Sequence, residues 1–253
     1  MTVTFLGTGT SQGVPVIACE CEVCTSADKR DNRLRTSVLI EGHGQSIVVD
    51  SGPDFRYQML RANVKRLDAI IFTHEHKDHI AGLDDIRAFN YRQNGPVDVY
   101  ADERVQAALR REFSYIFEDF KYPGVPQLIL HTIGLQPFNI GNIHFTPIEV
   151  MHFKLPVLGF RVNDFTYITD AKSVSEREKE KIKGSSILVI NALQKQNHIS
   201  HFTFDEAIAF ANEIGAEKTY FTHISHRLGT HRAISAVLPP NIELAYDGLK
   251  LDI

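Results

Sequence analysis

The sequence predicts a mixed α and β fold on three observations. Short β-prone runs alternate with windows of helical periodicity, and hairpin signals such as Glu41-Gly42-His43-Gly44 break that alternation, so a purely doubly wound sheet is not indicated. A chain of 253 residues with 43% hydrophobic content can also bury a substantial core.

Strands are expected at 2–6, 37–41, 46–50, 69–73, 97–100, 142–147, 158–162, 166–169, 187–190 and 218–222, where β-prone residues run between turn signals. Helices fit the periodicity of 54–62, 79–89, 103–113, 175–183, 204–214 and 231–237. No composition break or Pro/Ser-rich linker divides the chain, so residues 1–253 are expected to form one domain. No recognisable repeat or low-complexity tract is present. With neither a membrane-length apolar stretch nor a signal sequence, a cytoplasmic protein with no membrane partner is expected.

The chemistry announces itself in Thr73-His74-Glu75-His76-Lys77-Asp78-His79, directly after the apolar run Ala69-Ile70-Ile71-Phe72. Residues two apart on an extended segment point the same way, so His74 and His76 can grip one ion. Asp78 and His79, past the turn, can reach a second. Imidazole with carboxylate is the donor set of zinc, manganese or iron hydrolase centres, not of a calcium or magnesium cage.

A second metal signal is independent of the first. All three cysteines lie in Cys19-Glu20-Cys21-Glu22-Val23-Cys24. An odd, clustered set is poor material for disulfides and good material for a tetrahedral zinc. His226 in Thr222-His223-Ile224-Ser225-His226 offers the fourth ligand of a structural Cys3His site.

The His-x-His-x-Asp-His motif resembles the signature of the metallo-β-lactamase superfamily. That resemblance implies an αββα sandwich with the metals at one sheet edge. It further implies a later histidine, a bridging aspartate and a last histidine, positions filled here by His152, Asp170 and His223. The first metal would then have His74, His76, His152 and Asp170, and the second Asp78, His79, His223 and Asp170. Two such ions, zinc or manganese, can share a hydroxide that is available near neutral pH, which makes hydrolysis the default chemistry. Asp50 matches an early aspartate that orients a ligand histidine, although an Asp50-Ser51-Gly52-Pro53 turn explains it as well.

The cysteine cluster, the preceding Gly7-Thr8-Gly9-Thr10-Ser11-Gln12-Gly13-Val14-Pro15 run and Thr-His-Ile-Ser-His together resemble the PhnP-type phosphodiesterases of the carbon–phosphorus lyase pathway. The resemblance runs end to end and includes the tail Tyr246-Asp247-Gly248-Leu249. It implies hydrolysis of a small or cyclic phosphodiester, with a catalytic histidine at His201 that protonates the leaving alkoxide or steadies the phosphorane charge. His198 competes for that role. Asn191 departs from the pattern, an acidic residue being expected after Ile187-Leu188-Val189-Ile190. The alternatives are thioester or lactone hydrolysis, a tRNA 3′-processing-like nuclease, and a PqqB-like protein of cofactor biosynthesis.

Charge bears on the substrate. The formal net charge is −4, and three divalent ions set against three thiolates leave the holoprotein near neutral, which disfavours broad capture of a polyanion such as tRNA. The basic cluster Lys29, Arg30, Arg33 and Arg35, diluted by Asp28 and Asp31, reads as a solvated face. A small substrate is favoured and nucleic acid is not. The glycines Gly7, Gly9 and Gly13 miss the dinucleotide pattern and read as tight turns that deliver the cysteines beside the cleft. Five aromatics in residues 113–122 read as core packing, a lid or a homodimer surface. His43, His131 and His144 show no ligand context.

Overall fold

Strand alternation sorts the apolar residues into layers. In the strands 45–49 and 69–71, Ile47, Val49, Ala69 and Ile71 join one buried cluster, while Val48 and Ile70 join another on the opposite face. In the strand 187–191, Val189 faces the first of these clusters and Leu188 and Ile190 a third. Sheets buried on both faces need cover on both, and that requirement produces the four layers.

The computed structural model describes residues 1–120 and 122–253. Among these, the first sheet comprises β1 (Thr2–Gly7), β2 (Ser37–Gly42), β3 (Gln45–Val49), β4 (Ala69–Ile71), β5 (Val97–Ala101), β6 (Leu128–Thr132) and, from the C-terminal segment, β15 (Lys250–Asp252), in the order β15-β1-β2-β3-β4-β5-β6. The second contains β8 (Ile143–His152), β9 (Leu155–Val162), β10 (Phe165–Tyr167), β11 (Ser173–Val174), β12 (Ile187–Asn191), β13 (Lys218–Thr222) and β14 (Ile242–Leu244), in the order β11-β8-β9-β10-β12-β13-β14, with β7 (Phe138–Ile140) paired to β8. Helices α1 (Phe55–Arg61), α2 (Lys77–Ile80), α3 (Arg87–Gln93), α4 (Glu103–Glu112) and α5 (Ser114–Phe117) serve the first sheet. Its outer face packs on Phe55, Phe89 and Leu109 from these helices. Helices α6 (Glu176–Ile182), α7 (Phe204–Ile214) and α8 (His231–Ser235) serve the second sheet, through Ile182, Phe210 and Ile234. The central cluster, with Phe5, Phe145, Phe160, Phe165 and Tyr167, lies between the sheets, so the architecture is the expected αββα sandwich.

Several expectations change in detail. The helix expected over 79–89 is three pieces: α2, a 3-10 turn at Leu83–Ile86, and α3. Gly82 stands at the first break, where a β-carbon would lie 2.1 Å from the Gly52 carbonyl oxygen, so the backbone crosses too closely for a continuous helix with side chains. The strand expected at 142–147 runs on to His152 as Ile143–His152. Strands β6, β7, β11, β14 and β15 escape the sequence pattern, being two to five residues long and stabilised by distant partners. The hairpin at Glu41–Gly44 is present, with His43 and Gly44 at φ +51° and +77°.

The basic cluster is not one solvated face. Arg33 is only 3% exposed, and its Nη1 donates to Thr8 Oγ1 at 2.8 Å and to the Ala245 carbonyl at 2.6 Å. Its Nη2 lies 3.2 Å from His231 Nδ1. Asp31 is buried too, accepting from the His231 N–H at 2.6 Å. The guanidinium locks the cysteine loop to the C-terminal segment, a role invisible when charges are merely counted along the chain. The aromatic segment divides: Phe113 and Ile116 are buried in the helix-side core, while Phe120 and Tyr122 are exposed. Lys121, between them, lies outside the described residues. No helix among the described residues is long and apolar enough to cross a membrane.

Candidate metal centre

The candidate ligands gather where strands end. His74 follows β4, His152 closes β8, Asp170 follows β10 and His223 follows β13, so a rigid scaffold presents all four to one cleft. Within it, one ligand atom each from Asp78, His79, Asp170 and His223 lie mutually within 4.8 Å, as do those of His74, His76 and Asp170. A third such group is His152, Asp170 and His201. Asp170 belongs to all three. Its Oδ2 lies 3.6 Å from His74 Nε2 and 3.5 Å from His79 Nε2, and its Oδ1 lies 3.2 Å from His223 Nε2. Asp78 Oδ2 stands 3.2 Å from His79 Nε2 and 3.7 Å from His223 Nε2. The His152 ring centre is 5.2 Å from that of His76 and 6.0 Å from that of His74.

A hydrogen-bond chain sets which imidazole nitrogens face inward. Asp50, fully buried, accepts from the Thr73 N–H at 2.9 Å, the Thr73 hydroxyl at 2.8 Å and His79 Nδ1 at 2.7 Å. Because the Thr73 proton is committed to Asp50, Thr73 Oγ1 can only accept from His74 Nδ1, 2.9 Å away. Both Nε2 atoms are thereby directed toward the cleft. His152 Nδ1 donates to the Ser200 carbonyl at 2.8 Å to the same effect. Thr73 and Ser200 were not singled out from sequence, since a hydroxyl beside a motif and a backbone carbonyl carry no signal of their own.

The electrostatics describe a site built for cations. Burial disfavours charge on His79, yet Asp78, Asp170 and Asp50 outweigh it and hold the imidazole well above its ordinary value. Burial also opposes ionisation of Asp170 and Asp78, but the surrounding imidazoles keep both below the ordinary carboxylate range. His79 Nε2 and both nitrogens of His223 are buried without a hydrogen-bond partner among the described residues. Orphaned polar atoms converging on carboxylates are costly unless an ion satisfies them. The donor set fits divalent metal.

Two supports of the site were beyond sequence reading. Arg104 Nε lies 2.9 Å from Glu75, between His74 and His76, and the same guanidinium donates to the Pro156 carbonyl on β9 at 2.5 Å. It thus ties the ligand loop of the first sheet to the hairpin carrying His152. Asn191, fully buried, accepts the Ala171 N–H at 2.9 Å through its side-chain oxygen and so anchors the backbone directly after Asp170. An acidic residue is not needed for that. Close packing helps as well: a β-carbon at Gly52 would stand 2.0 Å from the Asp78 carbonyl oxygen, so only glycine lets α2 sit where Asp78 and His79 reach the cleft.

His201 is buried with its ring 4.4 Å from His152 and 4.7 Å from His223, and its Nδ1 has no hydrogen-bond partner among the described residues. Burial first, then the neighbouring His223, lower its pKa to about 2, so the free site holds it neutral. His198 sits further out, its ring 5.1 Å from that of His201.

The cysteines meet their expected partner. Sγ of Cys19, Cys21 and Cys24 lie 3.2, 3.4 and 3.5 Å from His226 Nδ1. Tetrahedral zinc with ordinary bond lengths places sulfur and nitrogen ligands about 3.6 Å apart, close to these separations. The Val16 N–H donates to Cys24 Sγ at 3.3 Å. A hydrogen bond from the Cys24 backbone lowers Cys21 to about 6, while burial raises Cys24 to about 11. The glycine loop joins the two sites: Thr10 N–H donates to the Ile224 carbonyl at 3.1 Å and Ile224 N–H to the Thr8 carbonyl at 2.9 Å, fixing the segment that carries both His223 and His226.

An αββα sandwich with a histidine–aspartate cluster at its strand ends is the arrangement of the β-lactamase superfamily. Residues 45–224 match the Beta-lactamase superfamily domain, and the chain belongs to that family. It is 39% identical, over 97% of its length, to an octanoyltransferase of Porphyromonas gingivalis, but spans only 50% of that protein. A crystal structure of a diphosphatase from the PhnP family superposes with TM-score 0.94 at 39% identity, covering 100% of this chain and 97% of the other. Zinc-bound PqqB from Methylobacterium extorquens shares the fold, with TM-score 0.81 at 19% identity and full coverage of both chains.

Proposed function

We propose that this hydrolase is a phosphodiesterase acting on a small or cyclic phosphodiester at a binuclear metal centre. The observation that carries the reading is His201, a buried imidazole grouped with His152 and Asp170 whose Nδ1 has no hydrogen-bond partner among the described residues. His74, His76, His152 and Asp170 would hold one ion, zinc or manganese, and Asp78, His79, His223 and Asp170 the other. Such a pair supplies activated water near neutral pH and screens charge on a phosphoryl group. Cys19, Cys21, Cys24 and His226 would hold a third, structural zinc.

The protein's own residues do the rest. Asp170 belongs to both ligand groups and would offset the charge of the ions they hold. Asp50 holds His79 and, through Thr73, His74 with Nε2 directed at the cleft. The chemical balance is simple: water oxygen bonds to phosphorus, the ester P–O bond breaks, and the departing alkoxide needs a proton. Nδ1 of His201 is free to carry that proton once an anionic phosphate alongside restores its basicity.

A small substrate fits the charge distribution. Of the four basic residues near the cysteine loop, Arg33 is buried, and Arg30 and Arg35 are paired with Asp28 and Asp54. That leaves little for a polyanion to grip. Acyl transfer through a covalent thioester would need a free thiol at the cleft, whereas all three cysteines are gathered about His226.

Metal-loaded protein assayed against bis(p-nitrophenyl) phosphate, a thioester and a lactone tests the reading, which requires the phosphodiester to be preferred. His201→Ala should keep both metals and lose about a hundredfold or more in kcat on a diester with an alkoxide leaving group, with a smaller loss for p-nitrophenolate. His198→Ala should do less. Equal losses on both leaving groups would instead mean that His201 stabilises charge or binds substrate.

A further inference from the structure

His152 pairs with Leu155 across the β8–β9 hairpin, so Phe153 and Lys154 are its two turn residues. Phe153 has φ +58°. Glycine or asparagine ordinarily fills such a position, because a β-carbon in the left-handed region crowds the backbone and a bulky side chain adds to the cost. Packing does not compensate, since Phe153 is 52% exposed. The Lys154 ammonium lies 5.4 Å from the ring centre. A strained aromatic, half in solvent and one residue beyond a candidate ligand, is the kind of outlier that points to function.

The loop that carries His201 also exposes an apolar side chain. Ile199 is 67% exposed, between His198 and Ser200. The Ser200 carbonyl accepts the His152 Nδ1 hydrogen bond at 2.8 Å, so Phe153 and Ile199 each adjoin one end of the same contact. Two exposed apolar side chains therefore stand on the two segments that carry His152 and His201, next to the ligand group of His152, Asp170 and His201.

From this we infer that Phe153 and Ile199 form a subsite for a flat apolar substituent on the substrate phosphate, a nucleobase or aryl group, with the Lys154 ammonium beside the ring to meet phosphate charge. The inference rests on the phosphodiester reading and narrows its substrate class. Stacking of a planar group on an aromatic side chain is worth on the order of tenfold or more in affinity.

The test is calorimetric titration of zinc-loaded protein with phenyl phosphate and with methyl phosphate, product-class ligands that need no turnover. The wild type should bind phenyl phosphate at least about tenfold more tightly. Phe153→Gly should reduce that preference to within about twofold and raise the melting temperature by relieving the left-handed residue, while Phe153→Trp should retain the preference. A wild type that binds both ligands equally or binds neither, or a preference that survives Phe153→Gly, overturns the subsite. Turnover of bis(p-nitrophenyl) phosphate on the same preparation reports separately on the diester reading. Preference without turnover keeps the subsite and removes the diesterase, whereas turnover without preference does the reverse.

Discussion

Asp50 Oδ2 lies 2.7 Å from Nδ1 of His79, with both side chains fully buried. Asp50 itself holds a φ of +64°, a conformation aspartate tolerates better than most residues, and thereby turns its carboxylate back beneath the ligand loop. Asp50→Asn would keep the shape but lose the charge and set an NH2 donor in place of one of the two oxygens that accept from Thr73 and His79. Metal affinity at the His79 and His223 position should fall about 10- to 100-fold, measured by chelator competition on the purified variant. Unchanged affinity would reduce Asp50 to a turn residue.

Asp170 should be the least replaceable ligand, because it alone belongs to every ligand group in the cleft. Asp170→Ala removes the negative charge from among the cations and should lose at least one catalytic metal and nearly all hydrolysis. Elemental analysis decides, and full occupancy in the variant would contradict the bridging assignment.

Arg104 should act on metal binding without touching a ligand. Arg104→Ala frees Glu75 from the β8–β9 hairpin, so cobalt-substituted protein should show a changed visible spectrum and weaker binding at the His74, His76 and His152 position. Arg104→Lys, which restores charge without the two-pronged geometry, should recover it only in part.

Cys21→Ser should release the structural zinc and lower the melting temperature more than it lowers kcat. A closed Cys3His site contributes folding energy directly, whereas the chemistry lies in the neighbouring cleft. A zinc count that stays unchanged in this variant would remove the structural-zinc assignment.

Acid stability should depend on His231. Burial first, then the charges of Arg33 and Arg30, lower its pKa from 6.5 to about 4. The folded value lies below the unfolded one, so the unfolded chain takes up the extra proton between them. The contribution is complete above about pH 6.5 and is lost progressively as pH falls toward 4, about 1–3 kcal/mol after allowing for partial solvent screening. Urea unfolding at pH 7 and pH 4.5 measures it. His231→Gln, which can still accept from Arg33, should remove this part of the slope.

Much of the cleft was legible in the chain because its ligands occupy short motifs. His74, His76, Asp78 and His79 share one loop, and the cysteines share another, so spacing alone reveals donors of the right type. His152, Asp170 and His223 stand at strand ends far apart, where resemblance to a family locates them and the structure gathers them. Arg33 was misread for the opposite reason: its neighbours in sequence are charged and exposed, but its neighbours in space are Thr8, Ala245 and His231.

By itself the sequence determined a mixed α and β pattern and the donor chemistry, since local periodicity and ligand spacing are properties that short-range sterics translate directly into strands, helices and loops, while the layering came from resemblance to a family. Only the tertiary structure decided which nitrogen of His74, His79 and His152 faces the cleft, that Arg104 joins the two sheets at the site, and that Phe153 takes a left-handed turn one residue beyond His152. Those outcomes depend on contacts between segments tens to hundreds of residues apart, where burial and hydrogen-bond satisfaction override any local preference.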